Sequence, residues 1–263
     1  MREAQAFGRW LTRTIDCGGL HLDGGAMFGS VPRVVWQRCI EPDLEHRIPL
    51  ATRLLLLEDT ESDRVVVVDA GVGDKEEASF RERFAVWLPE GSDEPPLRRS
   101  IRNSGVDPDR VTDVIITHLH FDHAGGATKF DKNGELEASF PNAEYYISER
   151  NWEAGLNPSP RDKASYLKEN YMVLFDKGLL KIVPENSEII DGISTYIVNG
   201  HTYGQQLIKV SSDSKTIVFC SDLIPLKSHL KLPWIMGYDL NAALTLKEKE
   251  IFLNLASKNN WIL

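Results

Sequence analysis

The sequence lacks an apolar run long enough to cross a bilayer, and its three cysteines form no CxxC pair. A transmembrane helix needs about 20 consecutive apolar residues. The N-terminal segment MREAQAFGRWLTRT has charges spread through it and lacks the apolar core of a signal peptide. Widely spaced cysteines in odd number argue against a disulfide framework and a zinc knuckle. We therefore expect a cytoplasmic protein with reduced thiols and no membrane partner.

Clusters of basic residues are also missing, and the formal net charge is −9 at pH 7. Nucleic-acid binding depends on grouped Lys and Arg side chains that neutralise phosphates, so we expect no nucleic-acid partner and disfavour nucleases. The chain shows no repeat and no low-complexity linker. Its 263 residues, 42% of them hydrophobic, can bury a substantial core. We expect a single domain over residues 1–263.

Short aliphatic runs alternate with helical patterns along the chain. Predicted strands cover residues 53–57, 65–68, 111–117, 145–148, 180–183, 194–198, 207–210 and 216–220. Polar turns join the first two of these and the last two, the latter through Ser211–Lys215, and predict two hairpins. Predicted helices cover residues 75–87, 97–103 and 162–177, and a capping box of Thr245 and Glu248 predicts the start of the last helix. Strands mixed with helices predict an α/β fold with mixed sheets covered by helices.

Three of the seven histidines stand in one decapeptide, THLHFDHAGG, at residues 117–126. It follows a predicted buried strand, and open α/β sheets bind ligands at the carboxyl ends of their strands. In extended backbone His118 and His120 point the same way, and the glycines that follow let the chain bring Asp122 and His123 to the same point. Imidazole and carboxylate ligands suit zinc or another borderline divalent ion. We predict a metal site here; the alternative is a histidine-rich polar loop.

These residues resemble the signature of the metallo-β-lactamase superfamily, and the resemblance covers nearly the whole chain. It extends to Asp69-Ala-Gly71, Gly200-His201-Thr202 and Ser221-Asp222-Leu223, which keep the order and spacing of the family. Asp23–Gly29, Arg47–Leu50 and Leu232–Asp239 look like the branch that contains quorum-quenching lactonases of the YtnP type and methyl parathion hydrolase. The resemblance implies an αββα sandwich of two mixed β-sheets flanked by helices.

The resemblance also implies a pair of divalent metal ions, expected to be zinc, with manganese, iron or cobalt as alternatives. The implied ligands are His118, His120 and His201 for the first ion, Asp122 and His123 for the second, and Asp222 between them. A hydroxide shared by the two ions would be the nucleophile, and Asp122 would act as the catalytic proton donor to the leaving group. Asp69 would orient a ligand imidazole; its alternative role is that of a strand-end turn residue.

Several side chains are candidates for a substrate pocket next to the metal ions. They are Met27, Phe28, Phe121, Tyr203, His229 and Trp234. The apolar members of this set could instead belong to the core, where aromatic and Met side chains are commonly buried. His229 has three open roles, as a ligand of the second ion, a pocket residue or a surface residue. The resemblance of Ser228-His229-Leu230 to the family favours the pocket.

The sequence departs from the family pattern in three places. Gln205 stands where the family usually has a histidine or a similar polar residue, and Pro225 stands where the better-known acyl-homoserine-lactone hydrolases have a tyrosine. The third departure is a histidine that serves the family as a seventh ligand shortly after the last helix. Residues 261–263 look like the start of the strand that would carry it. We therefore expect the sequence to lack its C-terminal end.

Residues and resemblance together predict a dinuclear metal-dependent hydrolase that attacks a lactone, an ester or a phosphotriester. We expect a lactonase with a small-molecule substrate. Two other classes stay open: a mono-iron dioxygenase on the same fold, and a metal-poor, non-catalytic binding protein. His120 stands where the flavodiiron branch has a glutamate, which argues against that version of the oxidoreductase class. The sequence does not fix the oligomeric state, and a homodimer stays open.

Overall fold

The computed structural model describes residues 4–91, 94–212 and 215–263. The chain forms two compact units, each assembled from three segments of the sequence. The first unit comprises Met1–Leu20, Ala51–Ile147 and Ala164–Val183. The second comprises His21–Leu50, Ser148–Lys163 and Pro184–Leu263. The organisation as one domain over residues 1–263 stays a prediction.

The described residues form thirteen strands and eight α-helices. The strands are β1 (Gln5–Phe7), β2 (Trp10–Asp23), β3 (Arg47–Asp59), β4 (Val65–Val68), β5 (Asp113–Ile115), β6 (Thr128–Phe130), β7 (Leu136–Ala138), β8 (Glu144–Ser148), β9 (Leu180–Val183), β10 (Glu188–Ile190), β11 (Ile193–Val198), β12 (Gln205–Ser212) and β13 (Lys215–Phe219). The helices are α1 (Gly24–Phe28), α2 (Arg33–Trp36), α3 (Ala78–Arg83), α4 (Pro96–Asn103), α5 (Phe121–Ala124), α6 (Glu149–Leu156), α7 (Met172–Asp176) and α8 (Ala242–Lys258).

The main sheet of the first unit has seven strands in the order β1-β2-β3-β4-β5-β8-β9. Strands β3 and β4 pair antiparallel, which confirms the first predicted hairpin, whereas β4, β5 and β8 run parallel. All four valines of β4 are fully buried, as expected for a β-branched run in a strand covered on both faces. Because β4 and β5 are parallel neighbours, the residues that follow Val68 and Ile115 leave the sheet at the same edge.

The sheet of the second unit has four strands in the order β10-β11-β12-β13, paired antiparallel. Strands β12 and β13 confirm the second predicted hairpin, although its turn residues Asp213 and Ser214 lie outside the described residues. Ile262 forms a parallel bridge with Ile217 of β13. Helix α8 packs Phe252 into an apolar cluster with Val198 and Leu207.

These mixed sheets and helices confirm the predicted α/β fold. None of the helices in the described part of the chain combines the length and apolarity needed to cross a bilayer.

The predicted helix over residues 75–87 is wrong in extent, because only Ala78–Arg83 is helical. On the N-terminal side, the ammonium of Lys75 binds the carbonyl oxygens of Gly125 and Thr128. On the C-terminal side, Ala85 has a φ of 39°, and Trp87 pairs with Gly19. Tertiary contacts on both sides therefore override the helical pattern.

Two further helix predictions need correction. The segment 162–177 contains two short 3₁₀ turns and α7, because Tyr166 forms a β-bridge with His120 that interrupts a continuous helix. Helix α8 begins three residues before the predicted capping box. Its N-cap is Asn241, whose side chain accepts a hydrogen bond from the Leu244 N–H. The carboxylate of Glu248 is therefore available for contacts outside the helix.

Gly125 marks a place where two segments of the first unit lie too close for a side chain. The Ala70 N–H donates to the His123 carbonyl over 2.7 Å, and the Gly126 N–H donates to the Gly71 carbonyl over 3.1 Å. A Cβ on Gly125 would overlap the carbonyl oxygen of Val72.

Gly125→Ala should therefore destabilise the fold through steric overlap. Gly125 has right-handed helical backbone angles that alanine accepts easily, so no conformational strain is added. We expect the free energy of unfolding, measured by urea titration, to fall by about 1–3 kcal/mol, the usual cost of overpacking. A change below about 0.5 kcal/mol, typical of neutral surface sites, would contradict this packing.

Candidate metal centre

The first unit gathers three histidines immediately after β5. His120 is still extended and caps α5, while Asp122 and His123 lie within that helix. The ring centre of His118 lies 4.5 Å from that of His120 and 4.0 Å from that of His123. His118 is fully buried and His120 nearly so. The turn from strand to short helix thus brings imidazoles from separate backbone positions to one place.

Asp69, at the end of β4, organises this turn. Its Oδ1 accepts from the Thr117 N–H over 2.8 Å, and its Oδ2 accepts from the Thr117 hydroxyl over 3.0 Å. Oδ2 also lies 2.8 Å from Nδ1 of His123. The φ of Asp69 is 64°, in the left-handed region that non-glycine residues seldom occupy. Such backbone strain is typical of functional sites, and here it aims the carboxylate at the histidine turn.

Hydrogen bonds to Nδ1 fix how two of these imidazoles face. The Thr117 hydroxyl lies 3.1 Å from Nδ1 of His118, and Asp69 holds Nδ1 of His123. In both rings Nε2 is then the nitrogen turned toward a ligand. Nε2 of His123 lies 3.7 Å from Oδ2 of Asp122, so the predicted proton donor stands beside an imidazole of the same turn.

The second unit carries a matching arrangement around His201. The Nδ1–H of His201 donates to Oδ1 of Asp239 over 2.9 Å, and Nε2 lies 3.2 Å from Oδ2 of Asp222. Asp222 follows Ser221, whose φ of 43° is also left-handed. The Gln205 side-chain amide donates to the Ser221 hydroxyl over 3.1 Å. Gln205, the first departure from the family pattern, thus braces the residue next to Asp222.

The chemistry of these groups fits a divalent metal such as zinc. Metal ligands are offered by the imidazoles of His118, His120, His123 and His201 and by the carboxylate of Asp222. Zinc-binding histidines generally donate their second ring N–H to a carboxylate, which fixes the tautomer and strengthens the ligand. Asp69 does this for His123 and Asp239 does it for His201. Each unit therefore carries an imidazole and the carboxylate that orients it.

Three of the predicted pocket residues lie in an apolar cluster of the second unit. Met27, Phe28 and Trp234 pack there with Trp36, and Phe28 is fully buried. The Phe28 ring stacks on Trp36 at 5.3 Å between centres, and Trp234 meets it edge-on at 5.5 Å. This is the core role that the sequence analysis left open for them.

His229 is only 1% exposed, so it is not a surface residue. Its Nε2–H donates to the Met27 carbonyl over 2.9 Å, and its ring stacks on Phe28. Burial lowers the pKa of His229, although the Met27 carbonyl opposes the shift. The proton on Nε2 occupies the nitrogen that a metal would need. The geometry therefore favours a neutral histidine that joins α1 to the segment after Asp222.

The remaining two pocket candidates differ in exposure. Phe121 is nearly buried in the first unit and lies edge-on to Phe80 at 5.1 Å between ring centres. Tyr203 of the second unit is half exposed, and its carbonyl accepts from the Asn151 side chain over 2.7 Å. Their role in a substrate pocket stays a prediction.

Sequence reasoning missed three residues that organise the histidines. Asp239 appeared only as the end of a segment that resembles the family branch, Thr117 only as the end of a strand, and Gln205 only as a departure. Each acts through a hydrogen bond to a residue distant in the sequence or to a neighbouring ring. Only the Asp239 segment carried a signal, because an aspartate in a family-like stretch without an assigned ligand role is a candidate partner for His201.

Comparison with known proteins yields a family and several relatives. The model of the metallo-β-lactamase superfamily matches residues 49–263. The N-acyl homoserine lactonase AiiA of Bacillus thuringiensis subsp. kurstaki is 26% identical over 153 residues, which are 56% of this chain and 54% of AiiA. The chain thus matches about half the length of this relative.

Solved structures resemble a larger part of the chain. A probable metal-dependent hydrolase from Staphylococcus aureus superposes with a TM-score of 0.86 and 26% identity, covering 98% of this chain and 88% of that one. AidC, a dizinc quorum-quenching lactonase in complex with a product, superposes with a TM-score of 0.74 and 20% identity, covering 97% and 86%. At that lower identity the likeness to AidC shows the fold alone.

Proposed function

The chain belongs to the metallo-β-lactamase superfamily, and on this basis we propose that it is a dinuclear metal-dependent hydrolase that acts first of all on lactones. The observation that carries the proposal is the pairing of a histidine with an orienting carboxylate in each unit, Asp69 with His123 and Asp239 with His201. Both histidines follow strands of their sheets, where loop residues can be held rigidly.

The proposed ligands are those that the sequence resemblance implies. His118, His120 and His201 would hold one ion, Asp122 and His123 the other, and Asp222 would bind both. The close grouping of the three first-unit imidazoles and the contact between His201 and Asp222 support this assignment. Zinc is the proposed metal, because imidazole and carboxylate ligands suit it and AidC is described as a dizinc enzyme.

When bound, the ions would supply a hydroxide nucleophile near neutral pH and polarise the substrate carbonyl. The side chains contribute orientation and proton transfer. Asp69 and Asp239 hold Nδ1 of their histidines, which keeps each Nε2 directed at the reacting centre. Asp122, next to Nε2 of His123, would deliver a proton to the alkoxide that leaves when the ester bond breaks.

Lactones are proposed as substrates because the relatives that match the sequence are N-acyl homoserine lactonases. Hydrolysis of such a lactone would make this a quorum-quenching enzyme. Esters and phosphotriesters use the same nucleophile and the same stabilisation of a charged oxygen, so they belong in the same substrate panel.

Metal analysis combined with a substrate panel tests the proposal. Protein purified without chelator should contain about two zinc ions per chain, as a two-metal hydrolase site requires. It should hydrolyse acyl-homoserine lactones or aryl esters. Chelation should remove the activity, and added Zn²⁺ should restore it, because the nucleophile depends on the ions.

Two outcomes would contradict the proposal. Fully loaded protein that turns over no lactone, aryl ester or phosphotriester would overturn the hydrolase assignment. Bound iron together with oxygen consumption would instead indicate the mono-iron dioxygenase class.

A further inference from the structure

The carboxylate of Glu248 in α8 reaches out of the helix to the backbone that precedes His201. The Asn199 N–H lies 2.9 Å from Oε1 and 3.0 Å from Oε2, and the Gly200 N–H donates to Oε2 over 2.9 Å. Both N–H groups point the same way and share one carboxylate. This contact takes the place of the capping box that the sequence predicts for Glu248.

The opposite side of the same loop is held by the residues that lead into α8. The Asn241 N–H donates to the Gly200 carbonyl over 2.9 Å, and the Leu240 N–H donates to the His201 carbonyl over 3.1 Å. One continuous stretch from Asp239 to Glu248 therefore grips the loop through its imidazole, its carbonyls and its amides.

Close packing leaves this loop little freedom to adjust. A Cβ on Gly200 would overlap the hydroxyl and the backbone nitrogen of Thr245, one helical turn before Glu248. Downstream, the Asn199 side-chain oxygen accepts from the Gly204 N–H over 2.9 Å. The loop thus lies directly on the first turn of α8, and the carboxylate sets the angle of the two peptides before the histidine.

We propose that Glu248 is a positioning residue for His201: by fixing the Asn199 and Gly200 amides it sets the direction in which the imidazole presents Nε2. Asp239 controls the rotation of the ring, and Glu248 controls the backbone on which the ring stands. This inference rests on the proposed role of His201 as a metal ligand. It assigns a function to a helical glutamate that belongs to no metal-binding motif.

A carboxylate suits this role better than a neutral side chain. Two N–H donors that converge on one acceptor need two oxygens with several lone pairs, and a charged acceptor makes the shorter and stronger hydrogen bonds. Glutamine keeps one oxygen and presents an amide group that repels the second donor. Alanine removes both acceptors.

The test compares Glu248→Ala and Glu248→Gln with Glu250→Ala, which removes an exposed carboxylate from the same helix. Zn²⁺ affinity is measured by competition with a chromogenic chelator, and the visible absorption bands of the Co²⁺-loaded proteins report ligand geometry. Thermal unfolding of the metal-free proteins monitors folding separately. We expect Glu248→Ala to weaken Zn²⁺ binding about 10- to 100-fold, as loss of a partner behind a metal ligand does, and to shift the Co²⁺ bands. Glu248→Gln should show a smaller change in the same direction, and Glu250→Ala should match the wild type.

Each result bears on one of the two proposals. Lowered melting temperature with unchanged Zn²⁺ affinity and unchanged Co²⁺ bands would overturn the role of Glu248, because a merely structural contact predicts that pattern. If Glu248→Ala fails to fold, Glu248→Gln decides by the same two measurements. Failure of the wild-type protein to bind Zn²⁺ or to hydrolyse the panel would instead overturn the proposed function.

Discussion

Zn²⁺ at about 1,000 times its dissociation constant should raise the free energy of unfolding of the wild-type protein by about 4 kcal/mol, and His118→Ala should lose most of that gain. An ion that binds only the folded state stabilises it by mass action. For a chain of this size, about 4 kcal/mol corresponds to a rise in melting temperature of about 10 °C. Differential scanning calorimetry with and without chelator measures the shift.

His118 is the informative position because of its place in the first unit. Its ring lies between those of His120 and His123 and is fully buried, so alanine removes the central imidazole of the group. Hydrolysis of the substrate panel should disappear with the metal-dependent stabilisation. His46→Ala is the matched control, because His46 is exposed and contacts Arg33.

Two outcomes would contradict this prediction. A metal-dependent rise in His118→Ala equal to that of the wild type would show that the ion binds elsewhere. No rise in the wild type itself would remove the metal centre. The metal-free stability of the variant separates both outcomes from a simple packing defect.

Much of the fold follows from local patterns in the sequence. The runs at 53–57 and 65–68 predict β3 and β4 because β-branched and aliphatic residues with a polar turn between them have few alternatives. The decapeptide at 117–126 predicts where the chain turns, because histidines that follow a buried strand emerge at the edge of a sheet. These features need only information within about ten residues, the reach of a hairpin or a strand-turn unit.

Other features depend on distant residues and escape local patterns. The helical pattern at 75–87 fails because Lys75 binds carbonyls some fifty positions away, at Gly125 and Thr128. The pattern at 162–177 fails because of the bridge between Tyr166 and His120. Glu248 matches a capping box, but Asn199 and Gly200 compete for its carboxylate. Asp239 is invisible as a partner of His201 until the chain is folded.

Lys249→Met should lower the free energy of unfolding by about 3 kcal/mol or more at pH 7, the cost of leaving several buried carbonyls without donors. The Lys249 ammonium is 1% exposed and donates to the carbonyls of His229, Lys231 and Trp234 over 3.1, 3.2 and 2.6 Å. An ammonium has three N–H donors, and these three acceptors use all of them. Methionine fills similar space but offers no donor.

Lys247→Met is the matched control, because Lys247 is exposed on the same helix. Urea titration of both variants and the wild type, with intrinsic fluorescence as the probe, gives the three free energies. Lys247→Met should stay within about 0.5 kcal/mol of the wild type, as surface substitutions usually do. Equal stability of the two variants would mean that the three carbonyls do not depend on Lys249.

The pH dependence of the same comparison identifies the ammonium as the group responsible. Burial lowers the pKa of Lys249 to about 8, although the Asp239 carboxylate opposes the shift. The unfolded chain keeps a lysine pKa of about 10.4 and binds more protons between these values, so this group's contribution to stability rises with pH across that window. Below about pH 8 both states are protonated and the contribution is constant. Methionine cannot titrate, so the stability difference between wild type and Lys249→Met should be larger at about pH 9.5 than at about pH 7. A difference that stays constant over this range would show that the buried lysine keeps its ordinary pKa, and a difference that shrinks would mean that folding raises it.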